Sequence, residues 1–303
     1  YIDSILSFQK SSVIGVSTSQ NEIMLGVEKD YILKRDDQLI FVSEDDSTIK
    51  FETNKMSFKD TTVNINDNSK LSQKNIIFVG WSSLGVQILN SIHGFLTENS
   101  KIAVLYDEKY VNSSTIDVKY SFDVDFISIS NNSKKLEELL KTTDFDDLVI
   151  LGYTDKLSIN EADTLTLLKN LEIDSLIQKN GYDLRVMTQI LNSNKSKLTE
   201  ITSVKEIIIS DNLCALLISQ LSENPNLSQV FDILFDPEST SINIFPIENY
   251  VKLEQKISYA EVAYKAAYNN HSSIGLLLNS TDTSSQSDGL LLNPSKTYEF
   301  TPR

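Results

Sequence analysis

Four residues in the first half of the chain have the types and spacing of a nucleotide site. Gly80, Ser82 and Gly85 lie in the hexapeptide Gly80-Trp81-Ser82-Ser83-Leu84-Gly85. It follows the apolar run Ile76-Ile77-Phe78-Val79 and precedes a stretch with helical spacing, Val86 to Leu96. Asp107 closes the next apolar run, Ile102-Ala103-Val104-Leu105-Tyr106. Strand, tight glycine turn, helix, strand and carboxylate make the opening unit of a Rossmann-like domain. There the free N–H groups and positive end of the first helix face an anion, and the acid accepts hydrogen bonds from a ribose. The match to G-x-G-x-x-G is incomplete, because Ser82 stands where the middle glycine would let a pyrophosphate approach the backbone and Trp81 adds bulk beside it. Gly80, Ser82, Gly85 and Asp107 are the expected ligand contacts. An occupied nucleotide site and a turn kept for structure alone both fit this spacing.

Such a site needs a parallel sheet to hold it. From 75 to 209, β runs alternate with helical stretches: after the first two strands come Val124 to Ile129, Leu148 to Leu151, Leu184 to Thr188 and Glu206 to Ile209, with helices around Lys134 to Lys141 and from Ile159 to Gln178. Residues 1 to 70 read as a small β-rich block with strands at Val13 to Val16, Glu22 to Gly26 and Gln38 to Val42. The polar run Asn64 to Lys74 reads as a linker. Residues 210 to 303 open with a helix from Asp211 to Leu221 and carry another from Tyr259 to Asn269. The expected architecture is α/β, a Rossmann-like lobe flanked by small α+β lobes.

The two flanking blocks share words. Ser12-Val13-Ile14-Gly15-Val16 is echoed by Ser273-Ile274-Gly275-Leu276, Met24-Leu25-Gly26-Val27 by Leu290-Leu291-Leu292-Asn293, and Lys29-Asp30-Tyr31-Ile32-Leu33 by Lys296-Thr297-Tyr298-Glu299-Phe300. As a repeat, the second copy stops before a counterpart of Gln38 to Val42, so its lobe is expected to lack a closing strand. The chain opens at Tyr1 on what reads as the end of a helix and is expected to be part of something longer.

The 303 residues allow about two domains, and 40% hydrophobic content supports real cores. A formal charge of −15 repels phosphate backbones, which argues against a nucleic-acid partner. One cysteine rules out an internal disulfide framework, and Cys214, in Leu213-Cys214-Ala215-Leu216, is expected to be a small buried hydrophobe. Two histidines, His93 and His271, do not furnish a histidine-rich metal site. Neither is placed for proton transfer at a nicotinamide and there is no Gly-x-Ser-x-Gly, so an enzyme is not expected.

Certain words carry a family resemblance: Phe78-Val79-Gly80-Trp81, Phe145-Asp146-Asp147-Leu148-Val149-Ile150-Leu151, Glu161 to Leu168, Val186-Met187-Thr188-Gln189 and Ile233-Leu234-Phe235-Asp236-Pro237. Over roughly residues 75 to 250 the chain resembles the regulatory region of the CASTOR/POLLUX ion channels, built of RCK domains (regulators of K⁺ conductance), and residues 1 to 60 resemble the C-terminal lobe of a preceding RCK domain. The resemblance implies a gating element on the cytoplasmic side of a membrane, assembled as a homo-oligomeric ring beneath its own pore domain or a separate channel subunit. It implies Ca²⁺, NAD(H) or an adenine nucleotide as ligand, with Asp107, Glu108, Asp155, Glu161 and Asp163 as candidate Ca²⁺ ligands. Because RCK-like lobes pair, Leu165, Leu168, Leu171 and Ile173 are expected to form an association face. The expected ligand order is a divalent cation first and an adenine nucleotide second, with no covalent chemistry. The alternatives are a peripheral RCK subunit of a potassium uptake system, a nicotinamide-dependent enzyme, or an inert scaffold.

Overall fold

The structure is a computed structural model that describes residues 1–53, 58, 73–118, 120, 122–129, 134–194, 206–236, 238–278 and 289–302. Most of the expected linker, 64–72, lies outside them. In chain order the elements are α1 (Ile2–Leu6), β1 (Ser11–Ser17), β2 (Ile23–Leu25) and β3 (Gln38–Ser43), then β4 (Asn75–Val79), α2 (Ser83–Ile92), β5 (Lys101–Tyr106) and β6 (Val124–Ser128). Next come α3 (Lys134–Thr142), β7 (Asp147–Ile150), α4 (Ile159–Asn180), β8 (Arg185–Ile190), β9 (Glu206–Ile209), α5 (Ser210–Glu223) and α6 (Leu227–Phe235). The last are β10 (Ile257–Ser258), α7 (Tyr259–Tyr268), β11 (Gly275–Leu277), β12 (Leu290–Leu292) and β13 (Glu299–Phe300). They form two compact units, Ser69–Ser228 and the combined ends Tyr1–Asn68 with Gln229–Arg303.

The first unit is built on six parallel strands in the order β6-β5-β4-β7-β8-β9, the doubly wound order of a Rossmann fold. Its middle strands are apolar without alternation, because helices cover both faces: Ile76, Ile77, Phe78 and Val79 of β4 are all buried. Val79 sits opposite Leu105 of β5 and Ile150 of β7, which brings three strand ends level. The ends of α4 follow from its sequence: Ser158 and Glu161 form a reciprocal capping box, and Gly181 takes the left-handed C-cap at φ 69°. Helix α5 stays with the sheet unit, since Asp211 N–H donates to Leu191 O and the Asp211 carboxylate accepts from Ser193 N–H. It has no buried residue, and Cys214 is exposed, not buried as its apolar neighbours suggest.

In the second unit the repeat is visible as shared hydrogen bonds. Gly26 N–H donates to Ile14 O and Asn293 N–H to Ile274 O, while Tyr31 N–H donates to Glu28 O and Tyr298 N–H to Ser295 O. Gly15 and Gly275 lie equally close to the neighbouring strand, where a Cβ would come 2.3 Å from Met24 O or Leu291 O. Gly26 and Asn293 both take positive φ, 63° and 46°. Thus Gly26 corresponds to Asn293 and Met24 to Leu291, one residue away from the register suggested by apolar similarity. β1 pairs with β2 and β3, β11 with β12, and β10 with β13.

The copies meet through reciprocal contacts. Tyr1, Ile5, Phe8, Val13 and Val16 of the first pack with Ala263 and Ala267 of α7, whose small side chains allow close approach. Lys29 N–H donates to the Asn270 side chain, and Lys296 N–H donates to Gln9 O. Lys29 Nζ of the first copy lies 3.8 Å from the centre of the Tyr268 ring of the second, whereas Lys296 Nζ lies 4.8 Å from the Tyr259 ring of its own copy. Lys296 is 1% exposed, and its ammonium donates a 3.5 Å hydrogen bond to Ser11 O.

Candidate functional site

At the carboxyl ends of β4, β5 and β7 lies a cavity of about 360 Å³, the place where this fold takes ligands. Gly80, Asp107, Tyr110 and Tyr153 line its strand-end side, and Leu165, Thr166, Lys169 and Glu172 of α4 line the other. Tyr110 and Tyr153 have ring centres 5.3 Å apart, and Lys169 and Glu172 form an ion pair at 2.9 Å. Tyr153 Oη accepts a hydrogen bond from Asp107 N–H at 3.1 Å. Burial pushes its hydroxyl pKa up to about 12, and the Asp107 charge adds to the rise, so Tyr153 stays neutral at physiological pH. Tyr110, Tyr153, Lys169 and Glu172 were not legible as site residues; the one available signal is that Leu165, Lys169 and Glu172 share a face of α4 at i, i+4 and i+7.

The glycine turn is explained by packing. Gly80 has φ +86°, and a Cβ there would lie 2.1 Å from Leu151 O. Trp81 is fully buried between Phe78 and Phe126 in edge-on contacts, with its indole N–H donating to Thr115 O. The ring fills the space beside Gly85, where a Cβ would come within 2.4 Å of it. Ser82 is 1% exposed, and its hydroxyl has no hydrogen-bond partner. Of the four expected ligand contacts, the cavity brings together Gly80 and Asp107; Ser82 and Gly85 do not line it.

The five candidate cation ligands do not converge, and four of them are engaged with nearby donors. Asp107 accepts from Lys109 N–H and caps a short 3₁₀ turn, Glu161 completes the capping box of α4, and Asp155 accepts from Ser83 at the head of α2. Asp163, 1% exposed, accepts from Leu191 N–H at 2.8 Å and Asn192 N–H at 3.1 Å, tying α4 to the end of β8. Glu108 is exposed. Among the described residues, no three of His, Cys, Asp and Glu form a group able to hold a metal ion. On α4, Leu168 and Leu171 are 58% and 46% exposed, whereas Ile173 is fully buried in the sheet core and cannot belong to an association face. His271 hydrogen-bonds Tyr250 Oη at 2.9 Å and stacks on Phe245, away from the cavity residues in sequence and in unit.

A family model described as Castor and Pollux, part of voltage-gated ion channel, matches residues 1–59. A probable ion channel POLLUX of Oryza sativa subsp. japonica is 20% identical over 340 residues, covering 98% of this chain and 34% of its own length. The ion channel CASTOR of Lotus japonicus is 19% identical over 314 residues, covering 91% of this chain and 37% of its own. The chain is a CASTOR/POLLUX-like region. The family model falls on the first block, where the words of the sequence carried the resemblance least, and the relatives align along nearly the whole CASTOR/POLLUX-like chain, which spans about a third of their length. Among solved structures, the human SLO3 gating ring covers 76% of this chain and 42% of its own at 18% identity and TM-score 0.48. An AMP-bound Kef C-terminal domain of Shewanella denitrificans covers 54% and 89% at 18% identity and TM-score 0.33. No described helix of the CASTOR/POLLUX-like chain is long and apolar enough to cross a membrane.

Proposed function

We propose that this chain is a ligand-sensing part of an ion channel's regulatory region, acting without covalent chemistry on a membrane pore through a ring of like subunits. The sensor is the cavity at the ends of β4, β5 and β7, and its ligand carries an aromatic ring and hydroxyl groups, as a nucleoside does. The observation that carries this reading is the joint placement of Gly80, Asp107, Tyr110 and Tyr153 around one cavity at the strand ends. Two ring faces suit a base, and a carboxylate closing the second strand suits ribose hydroxyls. A nucleoside-like ligand ranks ahead of Ca²⁺, because six to eight oxygens must converge on Ca²⁺ and no three of the candidate carboxylates form a group among the described residues. A regulatory ligand acts by binding one arrangement of the region better than another, and the proposed ring gives that preference a mechanical outlet.

Calorimetry with adenosine, NADH, ATP and CaCl₂ tests the reading on the protein and on Asp107→Asn and Asp107→Ala. Adenosine is expected to bind below millimolar concentration and to weaken by about tenfold in both variants, the loss of one charge-assisted contact. Heat from CaCl₂ that vanishes in Asp107→Asn would put the cation back in first place. Absence of binding by all four would end the sensor reading of this cavity.

A further inference from the structure

Between β4 and β7 the strand order reverses, and the loops after these strands border the crevice of the fold. Asp155, in the loop after β7, bridges to the head of α2. Its Oδ2 accepts from Ser83 N–H at 2.7 Å and its Oδ1 accepts from Ser83 Oγ at 2.7 Å. Ser83 opens the ten-residue helix α2, so its N–H is one of the unpaired donors that hold a phosphate in nucleotide-binding units. Here a carboxylate already supplies the negative charge and two acceptor oxygens at that spot. Beside it, at the residue preceding the helix, the buried Ser82 hydroxyl has no partner. The cavity reaches Gly80 and Asp107 but is not lined by Ser82, Ser83 or Asp155.

We propose that Asp155 is a built-in anion that holds the phosphate position at the head of α2 closed, so that the neighbouring cavity takes a nucleoside-like ligand with no phosphate at that end. The ligand clause rests on the function proposed above; the occupied helix head stands without it. A phosphate entering there would meet a like charge and would have to displace two short hydrogen bonds, so Asp155 selects against phosphorylated ligands and ties the loops after β4 and β7 together while it stays in place.

The test compares the unaltered protein with Asp155→Ala and Asp155→Asn. Adenosine and AMP are titrated by calorimetry, and thermal midpoints are read in sodium phosphate against sodium chloride of equal ionic strength. The unaltered protein is expected to bind adenosine at least as tightly as AMP and to gain nothing from phosphate. In Asp155→Ala the AMP-to-adenosine ratio should shift toward AMP by about tenfold, and phosphate should raise the midpoint; Asp155→Asn, which keeps an acceptor but not the charge, should fall between. Equal phosphate responses in all three proteins, or an unchanged ratio, would overturn the proposal. If neither adenosine nor AMP binds any of them while phosphate stabilises only the variants, the nucleoside clause fails and the built-in anion stands. Should Asp155→Ala fail to fold, Ser83→Ala removes one of the two bonds and must give the same, smaller shift.

Discussion

Replacing Lys296 by methionine is expected to stabilise the protein at neutral pH by about 1–3 kcal/mol and to remove a rise in stability between pH 8 and about 9.5. Lys296 is buried at the seam between the two copies, and burial alone lowers its pKa to about 8, from an ordinary value of 10.5. Below about 8 the ammonium is charged in both the folded and unfolded states, so the folded state bears the full cost of burying it. Between about 8 and 10.5 the unfolded chain binds more protons than the folded one, and stability therefore rises with pH. Among the described residues, the ammonium lies over the Tyr259 ring and donates to Ser11 O, neither of them a carboxylate. The cation–ring contact offsets part of the cost, which sets the lower bound. Denaturant unfolding at intervals from pH 7 to about 9.5 reads the effect below the range where buried Tyr1, Tyr153 and Tyr259, all with raised pKa, begin to oppose it. A methionine variant with the same slope as the parent would refute the seam account.

Gly85→Ala and Trp81→Ala are expected to be strongly non-additive. Trp81→Ala empties a fully buried ring site and should cost about 3–5 kcal/mol. Gly85→Ala drives a methyl to within 2.4 Å of the Trp81 ring, and displacing that packed ring should cost about 1–3 kcal/mol. With Trp81 already truncated the methyl has room, and the ordinary helix preference of alanine should make Gly85→Ala neutral or stabilising by up to ~1 kcal/mol. The predicted coupling, about 1–4 kcal/mol, is read from a denaturation double-mutant cycle. Additive costs would mean that Gly85 is glycine for some reason other than the tryptophan, and a ligand contact would return as the explanation.

These two residues mark what could be read in the sequence. The sheet was legible because strands covered on both faces are written as unbroken apolar runs, such as Ile76 to Val79 and Ile102 to Leu105, and α4 because Ser158, Glu161 and Gly181 announce its ends. The glycine turn was legible as a turn but not as to purpose, since a phosphate and an indole ring impose the same requirement for a missing side chain. Asp155 is not legible as a cap because its partner Ser83 is 72 positions away and only the reversal of strand order brings the loops together. Lys296 reads as a surface lysine until the two copies close on it. Similarity among leucines places the repeat one residue out of register, whereas Gly26 and Asn293, two residue types that tolerate positive φ, mark the structural correspondence.

The paired copies belong to one polypeptide, separated in sequence by the whole of the sheet unit. Their seam is therefore an intramolecular encounter, governed by an effective concentration that the intervening chain sets and that dilution of the protein leaves unchanged. Two free lobes with one buried lysine and an alanine-lined contact would part as the protein is diluted. Held on one chain, they can tolerate a weak and reversible seam, one that opens and recloses without ever releasing a partner.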